Sequence, residues 1–177
     1  MVDWQIFCGE NGENTIKVAG VEPIVVIIGK AGLISSKAKR EGDMATPVGR
    51  WALRHLYYRK DRLGQISCAL PMSEITPHCG WCDDPTHSEY NHHVTLPFSA
   101  SHERMWREDG AYDLVVMLGF NDEPPVAGRG SAIFLHCIAL GKTNTAGCIA
   151  LPSMDLLNLI QHACANQFLR INARVLA

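Results

Sequence analysis

The apolar residues of this chain are grouped in short runs of strand length, and only one segment has the spacing of a helix. The strand-like runs are Thr15–Val18, Pro23–Gly29, Arg50–Tyr58, Tyr112–Phe120, Ser131–Leu140 and Phe168–Val175. The helical segment begins at Ser153, a candidate N-cap, and ends near Asn166. The sequence therefore predicts a mostly β fold, a sandwich or barrel of about seven or eight strands with one main helix.

Composition supports one compact unit and argues against two classes of partner. The 177 residues are 47% apolar and 19% charged, so we expect a single domain over residues 1–177 with a real core. The net charge is -2 and there is no long run of Lys or Arg, which argues against a nucleic-acid groove or an anionic membrane surface. No apolar run approaches the ~20 residues of a membrane span.

Two further features bear on the compartment. The N-terminus has neither the basic region nor the apolar region of a secretory signal. The sequence contains seven cysteines, so at least one of them has no partner for a disulfide within the chain. Seven thiols in a sequence with no visible secretory signal fit a reducing compartment best. Four of them are expected to be small buried hydrophobes: Cys8, Cys68, Cys137 and Cys164.

Residues 65–101 are the least regular part of the chain. They contain four prolines and several histidines. Trp81 and Tyr90 argue against disorder, so we expect a long loop or insertion packed on the domain.

The residues with a clear chemical pattern are His136 and Cys148. His136 ends a predicted strand, and the pair Gly147-Cys148 follows a polar loop twelve residues after it. A thiol becomes nucleophilic when a His takes its proton, and a glycine before it lets the backbone approach a substrate carbonyl. From spacing alone, the same pattern also fits a buried His and a buried Cys without chemistry.

The wider sequence around these residues resembles the L,D-transpeptidase catalytic domain, the YkuD-type fold. The family motif places a strand His before Ser/Thr-x-Gly-Cys and an apolar residue, which are His136 and Thr145-Ala146-Gly147-Cys148-Ile149 here. The family's Thr-Pro-x-Gly loop stands at Thr46-Pro47-Val48-Gly49. The resemblance extends over Val25 to Leu159, and three segments recur together in a compact branch without a signal: residues 80–85, 90–91 and 128–131.

The resemblance implies both a reaction and its residues. Cys148 would attack the bond before the terminal D-Ala of a peptidoglycan stem peptide, with His136 as the base, and an amine would resolve the thioester. The backbone carbonyl of Cys137 would orient His136, and the N–H groups of Gly147 and Cys148 would form the oxyanion hole. No metal or organic cofactor is implied.

The resemblance also suggests residues that bind the substrate. The family often has an Arg two residues after the Cys, and this chain has Ala150 there. Arg129 is the candidate substitute, with Arg104 and Arg107 behind it. Thr145 is another candidate contact. Independently of the resemblance, residues 65–101 are expected to form one wall of the cleft with Trp81 and Tyr90 as candidate contacts, although simple packing of a long loop fits these two residues equally well.

Three alternatives stay open at this point. Water could replace the amine, which would make the chain an L,D-carboxypeptidase-type hydrolase with the same Cys and His. Cys79 and Cys82 form a C-x-x-C near His78, His87, His92 and His93, so a structural zinc site is the second alternative, and a redox pair is a weaker version of it. The third is a module that binds the cell wall without catalysis.

Overall fold

The computed structural model describes residues 2–9 and 12–172. The strands are β1 (Trp4–Cys8), β2 (Asn14–Val18), β3 (Val21–Val26), β4 (Leu33–Ser35), β5 (Thr46–Tyr58), β6 (Met72–Glu74), β7 (Cys79–Cys82), β8 (His93–Thr95), β9 (His102–Arg104), β10 (Leu114–Leu118), β11 (Phe134–Cys137), β12 (Ile149–Leu151) and β13 (Phe168–Ile171). The helices are α1 (Lys60–Leu63) and α2 (Ser153–Ile160). The prediction of a mostly β fold with one main helix after Cys148 is confirmed.

Ten of the strands form one sheet, in which β5 joins two halves. The order is β12-β11-β10-β5-β13-β1-β2-β3, and β4 and β6 also pair with β5. The first part of β5 pairs with β13 and the last part with β10. Beyond β3, Ile27 forms an antiparallel bridge with Ala150 of β12, so the far ends of the sheet come back together. This closure gives the sandwich-like architecture and places β12 beside the chain that follows β3.

The main core lies inside this closed sheet. Its fully buried side chains include Trp4, Leu56 and Ile149. Helix α2 covers it with Leu156, Leu159 and Ile160, which are at helical spacing. A second apolar cluster, which contains Trp81, Met105, Tyr112 and Phe134, packs on the other face of β10 and β11.

The segment predicted as an irregular insertion contains regular strands. Within residues 65–101 lie β6, β7 and β8, and β7 pairs antiparallel with both β8 and β9 in a separate three-stranded sheet. These strands have only three or four residues each, which is too short for a two-residue period to be visible in the sequence. That residues 1–177 form a single catalytic domain stays a prediction.

Several predicted boundaries differ from the structure. The Thr-Pro-x-Gly segment at residues 46–49 is predicted to be a loop, but β5 begins at Thr46 because residues 46–48 pair in parallel with β4. Strand β1 was not predicted, and it is held by parallel pairing with β13 and by β2. For the last predicted strand, residues 168–171 are confirmed and residues 173–175 lie outside the described residues.

The helix prediction was wrong at both ends. Pro152 occupies the N-cap position, and Ser153 is the first helical residue and makes no capping hydrogen bond from its side chain. The helix ends at Ile160 rather than near Asn166, which has a φ of +62° in the turn toward β13.

Burial of the four cysteines expected in the core is mixed. Cys137 is buried, Cys8 and Cys68 are half-buried, and Cys164 is exposed. The expectation was therefore wrong for Cys164, which lies in the polar turn after α2. Neither helix has the length and apolarity needed to cross a membrane, as far as the described residues extend.

Candidate active site

Cys148 is the last residue before β12, and its half-buried thiol lies against the chain that leads into β11. Its Sγ donates a hydrogen bond to the carbonyl oxygen of Ala132 at 3.0 Å, and the N–H of Phe134 donates to the same sulfur at 3.4 Å. Burial, and then the carboxylate of Glu103, raise the pKa of the Cys148 thiol to about 12. The thiol is therefore protonated at neutral pH and needs a base to become a nucleophile.

His136 lies in β11, where it is almost fully buried. Its Nδ1 is 2.8 Å from the carbonyl oxygen of Cys137. A carbonyl can only accept, so Nδ1 carries the proton in this hydrogen bond and Nε2 is left as the basic nitrogen. Burial lowers the pKa of His136 to about 4, so the ring is neutral at neutral pH and Nε2 keeps a free lone pair.

The parallel pairing of β11 with β12 brings these two side chains together. In that pairing His136 is opposite Ala150, which places Cys148 two residues away on the same face of the sheet. Both residues line one cavity of about 610 Å³. The structure therefore brings together the two residues that the sequence singled out, and their catalytic roles stay predictions.

The turn before Cys148 is held by Thr145. The Thr145 hydroxyl donates to the carbonyl oxygen of Cys148 at 2.6 Å and accepts from the N–H of Gly147 at 3.1 Å. The Gly147 N–H, expected in the oxyanion hole, is thus already engaged. Over residues 2–9 and 12–172, the Cys148 N–H has no hydrogen-bond partner, so it is the better placed of the two donors.

The comparison with known families agrees with this geometry. The sequence model of the L,D-transpeptidase catalytic domain, YkuD, matches residues 7–165. The chain belongs to this family. The match confirms the resemblance and includes both His136 and Cys148, and the family is enzymatic and acts on peptidoglycan. A comparison with curated proteins finds no match.

The cavity of this L,D-transpeptidase domain has charges of both signs in its wall. The acidic side chains are Glu41, Asp83 and Glu103, and the basic ones are Lys39, Arg107 and Lys142. The Oδ1 atom of Asp83 is buried and has no hydrogen-bond partner among the described residues. A ligand with both an anionic and a cationic group would complement such a wall.

Glu103 connects the acidic wall to the His through Tyr112. The Tyr112 hydroxyl donates to Glu103 at 2.7 Å, and the Tyr112 ring packs edge-on against His136 with centroids 5.2 Å apart. Arg107 lies 3.6 Å from Glu103 and also pairs with Asp109 at 2.5 Å. Burial raises the pKa of Glu103, whereas the hydrogen bond from Tyr112 and the charge of Arg107 lower it. The charge of this carboxyl therefore depends on these two partners.

The predicted arginine is not at the cavity of the L,D-transpeptidase domain. Arg129 donates to the carbonyl oxygen of Ser36 at 3.2 Å and is not part of the cavity lining. Arg104, on the edge of the small sheet, is exposed and does not line it either. Arg107 does line the cavity, so it takes the position for which Arg129 was the first candidate.

The two predicted aromatic contacts are also in the interior. Trp81 is 2% exposed, packs edge-on against Phe134 at 5.0 Å and donates to Asn91 at 3.0 Å. Tyr90 donates to Glu41 at 2.5 Å and is likewise absent from the cavity wall. Tyr90 therefore contacts the cavity wall through Glu41, and Trp81 packs against β11 through Phe134.

The C-x-x-C pair lies along a strand, and this placement bears on the zinc site and the redox pair considered as alternatives. Cys79 and Cys82 are three residues apart in β7, about 10 Å along an extended chain, whereas a disulfide needs Cα atoms within about 7 Å. In the described part of the chain, no three His, Cys, Asp or Glu side chains converge in a way that could hold a metal ion. Neither a redox pair nor a zinc site has a suitable set of residues there.

Sequence reasoning missed the cavity residues that lie far from the motif. Lys39 and Glu41 belong to a charged segment that resembles any solvated loop, and Glu103 has no distinctive neighbour. Asp83 belongs to the segment 80–85 that carried part of the resemblance. The sequence therefore marked this segment as a family feature but did not indicate that Asp83 lines the cavity.

Proposed function

We propose that the chain is a cysteine acyltransferase that cleaves the bond before the terminal D-Ala of a peptidoglycan stem peptide. As the Cys148 sulfur attacks the carbonyl carbon, Nε2 of His136 accepts the thiol proton. The C–N bond then breaks, His136 returns the proton to the leaving nitrogen, and D-Ala departs while the stem stays bound as a thioester. An amine attacks the thioester next, His136 carries its proton back to the sulfur, and a new amide is released.

The observation that carries this proposal is the fixed tautomer of His136 in the same cavity as Cys148. The hydrogen bond to Cys137 reserves Nε2 for proton transfer. The pKa of about 4 for the His and of about 12 for the thiol describe a neutral resting pair rather than an ion pair. The proton therefore moves during attack, which is general-base catalysis.

An oxyanion forms when sulfur adds to the carbonyl, and it needs a donor close to the nucleophile. The N–H of Cys148 supports this role because it makes no hydrogen bond with the residues that the structure describes. One such donor contributes roughly 3 kcal/mol to the transition state of acyl transfer. Gly147 contributes through its conformation, since its φ is +137° and a Cβ there would approach the carbonyl oxygen of Ala45 to 3.0 Å.

The charges of the cavity wall support a stem peptide as substrate. A terminal D-Ala presents a carboxylate, which complements Lys39 and Arg107. An amine, whether on the stem or on the acceptor, complements Asp83 and Glu103. The partners proposed are therefore peptidoglycan stem peptides, and the process is cell-wall biogenesis, including control of cell shape.

Hydrolysis is a second candidate, and the size of the cavity favours it. A volume of about 610 Å³ is in the range that holds one ligand of drug size, of ~300–1,000 Å³. The loop between His136 and Cys148 also contributes Lys142 and Asn144 to the wall, which narrows the space for a second stem. Water needs only ~30 Å³, so it can reach the thioester even where a second peptide has little room.

Intact mass spectrometry of the protein with a disaccharide-tetrapeptide tests both steps. The expected adduct equals the substrate minus D-Ala, is absent in Cys148→Ser, and is retained in Cys164→Ser, which removes an exposed thiol outside the cavity. Adding a stem peptide with a free amine then separates the two acceptors, because transfer gives a cross-linked dimer and hydrolysis gives a tripeptide. Absence of both the adduct and released D-Ala would refute the proposed reaction.

A further inference from the structure

Two threonine hydroxyls hold the two peptide carbonyls that flank Cys148. Thr46 is fully buried at the start of β5, and its hydroxyl donates to the carbonyl oxygen of Gly147 at 2.8 Å. The same oxygen of Thr46 accepts from the N–H of Gly29 at 2.9 Å. Thr145 donates to the carbonyl oxygen of Cys148 at 2.6 Å. Both hydrogen-bonding functions of the Thr46 hydroxyl are therefore in use, and one of them fixes the peptide before the nucleophile.

The direction of the Cys148 N–H follows from that contact. The Gly147–Cys148 peptide is trans, so its C=O and N–H point in opposite directions within one plane. Because Thr46 holds the C=O, the N–H is directed away from Thr46. It finds no other partner among the described residues, so it is available to a ligand. A rotation of this peptide would redirect the Cys148 N–H.

We propose that Thr46 is a positioning residue that fixes the Gly147–Cys148 peptide so that the Cys148 N–H serves as the oxyanion donor. This inference rests on the proposed function, since it assumes that Cys148 attacks a carbonyl. It also gives a physical reason why a Thr-Pro-x-Gly segment about a hundred residues upstream accompanies the Gly-Cys pair. Thr46 reaches the site through the packing of β5 against the turn and does not touch the substrate.

The test compares two electrophiles, one that needs an oxyanion hole and one that does not. Attack on p-nitrophenyl acetate passes through an oxyanion, whereas alkylation by iodoacetamide displaces iodide at a tetrahedral carbon and forms none. The rate of each reaction at Cys148 is measured with Cys148→Ser as the background. Their ratio reports the oxyanion donor separately from thiol access and the base.

The variants are Thr46→Val, which keeps the shape and removes the hydroxyl, and Thr46→Ser, which restores it. In Thr46→Val we expect ester acylation to fall about 10- to 100-fold, approaching the loss of an oxyanion donor, while alkylation stays within about two-fold. Thr46→Ser is expected to recover the acylation rate. Thermal unfolding of each variant shows that the fold is kept.

Three results would overturn the inference. The first is unchanged ester acylation in Thr46→Val. The second is an equal fall of acylation and alkylation, which would mean general damage to the site. The third is failure of both Thr46→Val and Thr46→Ala to fold, which would make Thr46 a residue of stability alone. The ester assay does not depend on the stem peptide, so failure of the tetrapeptide to form an adduct is a separate result that concerns the proposed function.

Discussion

Strands β11 and β12 have one face in the apolar core and the other in the cavity. The core face carries Leu135, Cys137 and Leu151, which are at most 1% exposed. The cavity face carries His136 and leads to Cys148. Because side chains alternate along a strand, a shift of one residue in register would exchange the two sets.

Cys137 lies on the core face and Cys148 on the cavity face. Burial raises the pKa of Cys137 and of Cys148 to about 12, so the pKa does not distinguish them. The Cys137 sulfur lies 3.8 Å from the carbonyl oxygen of Leu114, inside the core. Cys148 opens on a cavity that also contains His136. The chemistry therefore depends on which face a thiol occupies, through access and a neighbouring base.

The largest expected effect is the loss of activity on removing either Cys148 or His136. Cys148→Ser and His136→Ala should each lower release of D-Ala from a tetrapeptide by at least about 10³-fold, because nucleophile and base act as one unit. Circular dichroism should show that both variants keep the fold. Release of D-Ala at the wild-type rate by either variant would rule out the Cys-His mechanism.

A smaller effect separates the two thiols directly. At neutral pH, iodoacetamide should modify Cys148 while Cys137 stays unmodified, although burial raises both pKa values equally. His136→Ala should slow the modification of Cys148 and leave Cys137 unchanged. Peptide mapping by mass spectrometry gives the extent at each site. Comparable labelling of Cys137 and Cys148 would contradict the contrast between the faces.

Acid should destabilise the folded protein because His136, on the cavity face, resists protonation. Burial lowers the pKa of His136 to about 4, so between pH 6.5 and 4 the unfolded chain binds a proton that the folded chain does not. The free energy of unfolding should therefore fall over that window, by about 3 kcal/mol when fully developed, at 1.36 kcal/mol per pKa unit. Urea titrations at several pH values measure it.

His136→Asn is the matched variant for this experiment, because its amide nitrogen takes the place of Nδ1 and can still donate to the carbonyl of Cys137. It should flatten the dependence on pH without abolishing it, since burial also lowers the pKa of His55 and His93. If His136→Asn and the wild type lose stability equally between pH 6.5 and 4, the proton is not taken up at His136.

Glu103 should modulate the reactivity of Cys148 by a smaller amount. Its negative charge raises the pKa of the thiol, so Glu103→Gln should move the alkylation profile of Cys148 toward lower pH. The amide can still accept from the Tyr112 hydroxyl, which keeps the contact with His136. An unchanged profile would mean that the carboxylate is too well screened to affect the sulfur.

Much of this fold could be predicted because its main strands are apolar runs of strand length. Residues 112–120 and 131–140 contain β10 and β11, and the helical spacing of Leu156 and Ile160 marks α2. The three-residue strands could not be predicted, since they depend on pairing with distant strands such as β5. Local patterns contain no information about such partners.

The residues of the candidate site also include some that could be predicted from local sequence and some that could not. His136 and Cys148 could be found because they lie in one contiguous motif. Lys39 and Glu103 reach the cavity from loops and edges brought there by the closed sheet, and nothing in their local sequence distinguishes them from surface charges. Trp81 was a candidate contact with core packing as its alternative, and the structure buries it, because an aromatic residue in an irregular segment can equally be core.

The smallest expected effect concerns a second pair of thiols placed by strand alternation. Cys79 and Cys82 are three residues apart in β7, and their side chains point to opposite faces of the strand. Mild oxidation should therefore leave this pair unbridged, and any change of thermal stability between reducing and oxidising buffer should be the same in the wild type as in Cys79→Ser, which cannot form the bridge. Loss of two mass units in the peptide that spans residues 79–82 would show a bridge. Since Cα atoms about 10 Å apart cannot be joined by a disulfide, such a bridge would require β7 to leave the sheet.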